Sequence, residues 1–278
     1  MGRAVRRLGN AANVVHGFIY FVPEAAEEYE RLGLVDFYPQ YFGSRAAPMG
    51  PVGPETVLAT FFNFGPDAVG AGIPLAWETA SPQQLQAARF AAAERVLGRV
   101  GGILSAAEID EATEIMSAMV AGVSMAGRPL AAANAGLELP ADPLTRLWQL
   151  VTVIREYRGD AHVAALTSAP VGPVEALVLH AATGVVDRAR LQELRAWSDA
   201  AWDGAVAALA ERGWVDSDGA FTPEGGTARE SIEVQTDHAT QPMLDVVGDE
   251  TVHRLCDLLV PLRDALIAEG VYPWRGLK

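Results

Sequence analysis

The densest group of chemically capable side chains in this sequence is Arg155-Glu156-Tyr157-Arg158-Gly159-Asp160-Ala161-His162. An imidazole two residues from a carboxylate, with guanidinium groups close by, suits acid–base work on a small molecule that carries an anion or a carbonyl. Gly159 reads as a helix break, so a short helix from Ala161 to Ser168 is expected, with Asp160 as its N-cap. An anion could then sit against the free N–H groups of that helix start, with Arg155 or Arg158 as counter-charge and His162 exchanging the proton. The competing explanation is structural: Asp160 caps its helix, an arginine pairs with it, and His162 packs beneath the corner.

A second group lies in Tyr38 to Pro54, YPQYFGSRAAPMGPVGP, where glycine and proline are so frequent that a long loop is expected. Within it Tyr41, Phe42 and Arg45 combine aromatic walls with one fixed positive charge, as a pocket for a planar or carboxylated ligand requires. The alternative is a loop anchored over the core by buried rings. His16 precedes Tyr20 by four residues and shares its helix face, so His16, Tyr20, Tyr41 and Arg45 could line one cavity. Metal chemistry has little support, since His16, His162, His180, His238 and His253 are scattered and show no paired ligand spacing. No nucleotide-binding glycine motif and no nucleophile elbow occurs, and no cofactor is indicated. Cys256, the single cysteine, lies among Leu255, Leu258 and Leu259 and is expected to be core. Without a second cysteine there is no internal disulfide, which suits a reducing cytoplasm.

These groups must be held by helices, because caps and a 3.6-residue period recur along the chain while alternating strand patterns are rare. Arg3, Arg6 and Arg7 open a first helix, and Pro23 to Leu32 is an acidic one. Pro54 to Phe64 and Pro82 to Leu97 begin with proline at the first helical position, and Ser105-Ala-Ala-Glu108 is a capping box for a helix to Val120. Asp142-Pro143 starts another, with Leu144, Leu147, Trp148, Val151 and Ile154 at core spacing. A boundary is placed near residue 170, dividing a helical domain (1–169) from a distinct module (170–278). No apolar run approaches the ~20 residues needed to cross a bilayer.

The second module reads as helices Val174 to Ala182, Asp187 to Arg195 and, capped by Ser198, one through Arg212. A β-hairpin follows over Trp214 to Thr222 around an Asp-Gly turn. Residues 209–233, LAERGWVDSDGAFTPEGGTARESIE, resemble the MarR-type winged-helix regulators, in which a recognition helix ends at Arg-Gly, a wing follows, and T-x-x-G leads into a dimerisation helix. The whole chain also resembles an uncharacterised actinobacterial helix-turn-helix-like family, through YFVPE (20–24), YFGSRAAPMGPV (41–52), REYRGDAHVAAL (155–166) and IEVQTDHATQPM (232–243). Tyr157 stands where that pattern has His. The resemblance implies a mainly α fold, a helical N-terminal domain followed by a winged helix-turn-helix, and no particular activity.

Charge argues against nucleic acid. The chain has 21 Lys+Arg and 35 Asp+Glu, a formal net charge of −14, and residues 170–278 hold 9 of the basic and 18 of the acidic side chains. A helix for the major groove needs Arg or Lys for phosphates and Arg, Asn or Gln for base edges. The third helix of the module instead offers Asp199, Asp203 and Glu211 beside Arg212, and its wing adds Asp216 and Asp218. Arg188, Arg190 and Arg195 form the one local basic cluster. The expected function is therefore binding of a small organic ligand on a scaffold of winged-helix ancestry. The alternatives are a MarR-like regulator acting as a homodimer through the helices after Thr222 and Gly248, and an enzyme of specialised metabolism using His162, Asp160 and Arg155.

Overall fold

Proline begins eight of the helices, where the N–H it lacks would have had no partner in any case. The computed structural model describes residues 2–272. They form fourteen α-helices: α1 (Gly2–Gly17), α2 (Pro23–Glu30), α3 (Phe37–Ala46), α4 (Pro54–Phe61), α5 (Pro66–Thr79), α6 (Pro82–Gly98), α7 (Ala106–Ala121), α8 (Pro129–Ala135), α9 (Pro143–Ser168), α10 (Pro173–Ala181), α11 (Arg188–Arg195), α12 (Asp199–Glu211), α13 (Pro223–Asp245) and α14 (Asp249–Ala268). Ser81 and Ser105 each close a capping box at the starts of α6 and α7.

Three apolar clusters form the interior. The first gathers α1, α2, α6, α7, α14 and the middle of α9 around the fully buried Trp148. The second joins the end of α9 to α10, α11 and α12 through Leu166, Leu177, Leu191, Trp202 and Leu209. The third is aromatic and belongs to α3, α4 and α5, with Phe42, Phe61 and Phe64. At 26 residues, α9 is about 39 Å long and runs through the first two clusters.

Four expectations change. Residues 38–54 are not one long loop: α3 occupies most of the segment, and a short 3-10 turn spans Ala47–Met49. Pro39 falls in the first turn of α3, where it breaks no hydrogen bond. Gly43 is there for packing, since a Cβ on it would lie 2.9 Å from the Cβ of Ala76 on α5. Gly159 does not break a helix either, because α9 passes through it to Ser168, so no helix starts at Asp160.

The expected β-hairpin wing is reduced, among the described residues, to one antiparallel bridge, Val215 to Phe221. The Asp216 carboxylate accepts from the backbone N–H groups of Asp218 and Ala220, closing the turn before a ladder can grow. Finally, the clusters do not divide at residue 170. Met243 and Leu244 of α13 and the leucines of α14 lie in the first cluster, and α14 packs along α1. One face of α14 is thus buried within the chain. No single helix among the described residues is long and apolar enough to cross a membrane.

Candidate functional site

The seam between the three clusters is open, leaving a cleft of about 240 Å³. Its walls come from Gly9 and Asn13 of α1, Tyr41 and Arg45 of α3, Phe61, Phe62 and Asn63 at the end of α4, and Arg195 of α11. The largest share comes from α9, whose Arg155, Gly159, His162 and Leu166 recur at helical spacing and so share a face. A Cβ at position 159 would stand 3.4 Å from Glu156 Oε2 and 3.5 Å from Arg155 Nη1, in ordinary contact with both.

Glu156 is the electrostatic centre, and it is only 1% exposed. It accepts from Arg45 Nε (3.3 Å) and Nη2 (3.2 Å) and from Arg155 Nη1 (2.7 Å). Burial would raise its pKa, but Arg155 and Arg45 hold it well below the usual carboxylate range. Arg45 also lies over the ring of Phe61, 4.3 Å from its centroid. Arg158 turns from Glu156 to α13, donating to Glu233 (2.7 Å) and Asp237 (3.1 Å).

Arg195 reaches the cleft from a distant part of the sequence. At the end of α11 its carbonyl accepts from Gly65 N–H (2.7 Å), Ala196 turns left-handed at φ 54°, and the Trp197 indole donates to Asn63 O (3.0 Å). Gly65 permits this approach, since a Cβ there would come within 2.4 Å of Ala196 O. The guanidinium lies 4.2 Å from the centroid of Phe64. Its Nε is buried without a hydrogen-bond partner, and no carboxylate pairs with it among the described residues. Burial lowers its pKa; Tyr41 opposes that shift, and Arg45 and Arg155 add to it.

Asp160 does not cap its own helix. It accepts from Ala131 N–H (3.0 Å) and so caps α8 from outside. Burial pushes its pKa up to about 6, against that hydrogen bond. Thr236 donates its hydroxyl to Ile232 O, so it accepts from His162 Nδ1–H (2.9 Å), which leaves His162 Nε2 as an acceptor. Burial holds His162 at about 4, and it is neutral at pH 7.

Behind the cleft lies a second polar layer. Thr152 donates to Trp148 O and therefore accepts from His16 Nδ1–H (3.0 Å), so Tyr20 donates to His16 Nε2 (3.1 Å). Burial first, and Arg155 second, keep His16 far below its ordinary pKa. The Tyr20 ring lies 4.7 Å from that of Tyr41, whose oxygen accepts from Arg45 Nη1 (3.2 Å). Burial alone would raise the pKa of Tyr41, but Arg45, Arg195 and Arg155 together hold it below its ordinary value.

Of the residues singled out from sequence, Tyr41, Arg45, Arg155, Arg158, Asp160 and His162 therefore line one cleft. His16 and Tyr20 stand one layer behind it. Phe42, fully buried between Phe61 and Phe64, is core and does not reach the ligand space. Sequence reasoning missed Arg195 and the part played by Glu156. The run Arg-Glu-x-Arg at 155–158 was the available signal for Glu156; for Arg195 there was none, because its position depends on Gly65.

The segment expected from sequence to form a helix-turn-helix comprises α11 and α12, joined by Ala196-Trp197-Ser198, with α10 packed on α12. Asp199, Asp203, Gly204, Ala207 and Glu211 form the exposed face of α12. Arg188 pairs with Asp199 (3.2 Å) and Asp203 (2.8 Å), Arg190 with Glu193 (2.9 Å), and Arg212 with Glu175.

Fold and site together describe an all-α helix-turn-helix protein whose cationic groups converge on an internal cleft. The chain matches a helix-turn-helix family over residues 5–273 and belongs to it. No curated protein and no solved structure matches it.

Proposed function

We propose that this protein binds a small organic anion in the arginine-lined cleft and that its helix-turn-helix segment serves as architecture. The observation that carries the reading is Arg195, a cation held among three other arginines with no acidic partner among the described residues. In a chain of formal charge −14, that surplus is a local reversal of sign, and a low-dielectric cleft strengthens its pull on an anion. The aromatic walls Tyr41, Phe61 and Phe62 suit a planar body. A volume of about 240 Å³ corresponds to roughly eight waters at ~30 Å³ each, room for a single-ring acid.

Thermal-shift titration with benzoate and related ring carboxylates tests this. Stabilisation of the native chain that disappears in Arg195→Ala is expected; no stabilisation by any small carboxylated or aromatic compound overturns the reading. A MarR-like transcriptional regulator is the runner-up; membership of a helix-turn-helix family supports DNA binding in general, and the MarR-like mode rests on the resemblance of residues 209–233 alone. The acidic excess around α12 weighs against it, and tight, salt-dependent association with a defined duplex would reverse that judgement.

One observation favours an enzyme: His162 Nε2, free to accept a proton, shares a wall with Asp160 and Arg155. In that case His162→Ala abolishes conversion of a cleft ligand while leaving its binding measurable.

A further inference from the structure

Tyr41 also lines a second cavity, of about 370 Å³, between α2, α3 and the turn that follows α1. Ile19, Val22, Ala25 and Phe37 make apolar walls, while Tyr29 and Ser44 bring hydroxyl groups to it. Behind those hydroxyls lies Arg89 of α6, only 2% exposed. Its Nη1 donates to Ser44 Oγ (3.1 Å), and both terminal nitrogens donate to the Tyr20 hydroxyl (3.3 Å each). The rings of Tyr20 and Trp148 flank the guanidinium at 5.3 and 5.1 Å. Its Nε has no hydrogen-bond partner, and no carboxylate pairs with it among the described residues. A buried charge without a counter-ion is among the most destabilising arrangements a core can hold, and one persists where something else requires it.

The hydrogens at the hydroxyl end do not balance. Ser44 Oγ accepts from Arg89 and from the Tyr29 hydroxyl (2.6 Å), so the hydrogen of Ser44 has no acceptor among the described residues. Turning the Tyr29–Ser44 bond around leaves the hydrogen of Tyr29 over instead. The Tyr20 hydrogen is already given to His16 Nε2. Burial pushes Tyr29 up to about 12, so these hydroxyls keep their protons at neutral pH.

One end of an otherwise apolar cavity therefore has one donor and one positive charge too many. We infer that this cavity is a binding site for a small aliphatic monocarboxylic acid, its carboxylate accepting from Ser44 or Tyr29 in the field of Arg89 and its hydrocarbon lying along Ile19, Val22, Ala25 and Phe37. The carboxylate supplies both what the hydroxyl pair lacks as acceptor and what Arg89 lacks as counter-charge. An alcohol supplies only the first, and a cationic amphiphile is repelled.

Calorimetric titration of the full chain with octanoate, octan-1-ol and octyltrimethylammonium tests this. Octanoate is expected to bind at least about tenfold more tightly than octanol, and the ammonium not at all. Ser44→Ala weakens octanoate binding at least about fivefold with the native fold kept. Arg89→Met abolishes octanoate binding yet raises the melting temperature of the free protein, because it removes a lone buried charge and leaves a side chain of similar length. Purely structural roles for these residues predict loss of stability instead.

Methyl-resolved NMR separates this site from the cleft: octanoate shifts the methyls of Ile19, Val22 and Ala25, and not those of Leu130, Val163 and Leu166, which line the cleft. The inference is overturned if octanol binds as well as octanoate, if Ser44→Ala leaves octanoate affinity unchanged, or if the shifts fall on the cleft methyls. It stands independently of the cleft, whose own test uses Arg195.

Discussion

The arginines of the cleft and those of the helix-turn-helix segment are the same side chain put to opposite use. Around α11 and α12, Arg188, Arg190 and Arg212 each meet carboxylates near the surface, where water screens the pairs and acidic side chains remain in excess. At the seam, Arg45 and Arg155 share the single buried Glu156, and Arg195 pairs with no carboxylate among the described residues. Arg45 and Glu156 are largely buried there, so an unpaired charge beside them acts more strongly on whatever enters than one at the surface. The contrast is one of compensation: the surface arginines are matched by carboxylates, and at the seam cationic charge is left over.

The largest effect that would break this contrast is at Glu156. Glu156→Gln leaves Arg45 and Arg155 without their shared counter-charge and is expected to destabilise the protein by about 3–5 kcal/mol, read by urea unfolding. A loss below about 1 kcal/mol would mean that the seam is wet and screened like the surface.

Next in size is a hidden pH dependence. His162 is held at about 4 in the folded state, so the unfolded chain takes up its proton first and stability falls as pH drops from 6.5 towards 4. Asp160, raised to about 6, has the opposite sign: the folded chain keeps its proton longer, and stability falls as pH rises from 3.8 to 6. The two oppose each other between pH 4 and 6. Asp160→Asn should make the acid loss steeper than in the native chain, and His162→Gln should make it shallower, each by about 3 kcal/mol across that window. Identical pH profiles for both variants and the native chain would remove the electrostatic account of this wall.

Smaller again is Arg195→Ala, expected to weaken binding of a cleft anion by about tenfold or more, near 1.4 kcal/mol, without lowering the melting temperature of the free protein. Smallest is Arg188→Ala on the surface of the helix-turn-helix segment, where an exposed pair contributes under about 1 kcal/mol and anion binding in the cleft should not change.

Much of the helical skeleton could be read directly. The boxes at Ser81 and Ser105, the proline starts, and the core spacing of Leu147, Trp148, Val151 and Ile154 all act within one or two turns, so sequence neighbours suffice to specify them. Errors arose where glycine and proline had a tertiary purpose. Gly43 and Gly65 exist to let another segment come close, and Gly159 lies within α9 on the wall of the cleft, yet all three look like breaks in a linear string. The pairing of His16 with Tyr20, four residues apart, is visible in the sequence; Tyr20 also meets Tyr41, yet His16, Tyr20, Tyr41 and Arg45 do not line one cavity, because where α3 packs is decided by the tertiary fold.

Composition and local pattern thus settled the helical class, the caps and the acidic character of α12, because propensity, capping and net charge are properties of short stretches or of plain sums. They could not settle which arginine goes without a partner. Arg195 and Arg89 pair with no carboxylate among the described residues, and what surrounds each comes from far away in the chain, Gly65 against one and Ser44 and Tyr20 against the other. Whether a charge is compensated depends on its whole surroundings, and only the folded chain supplies those.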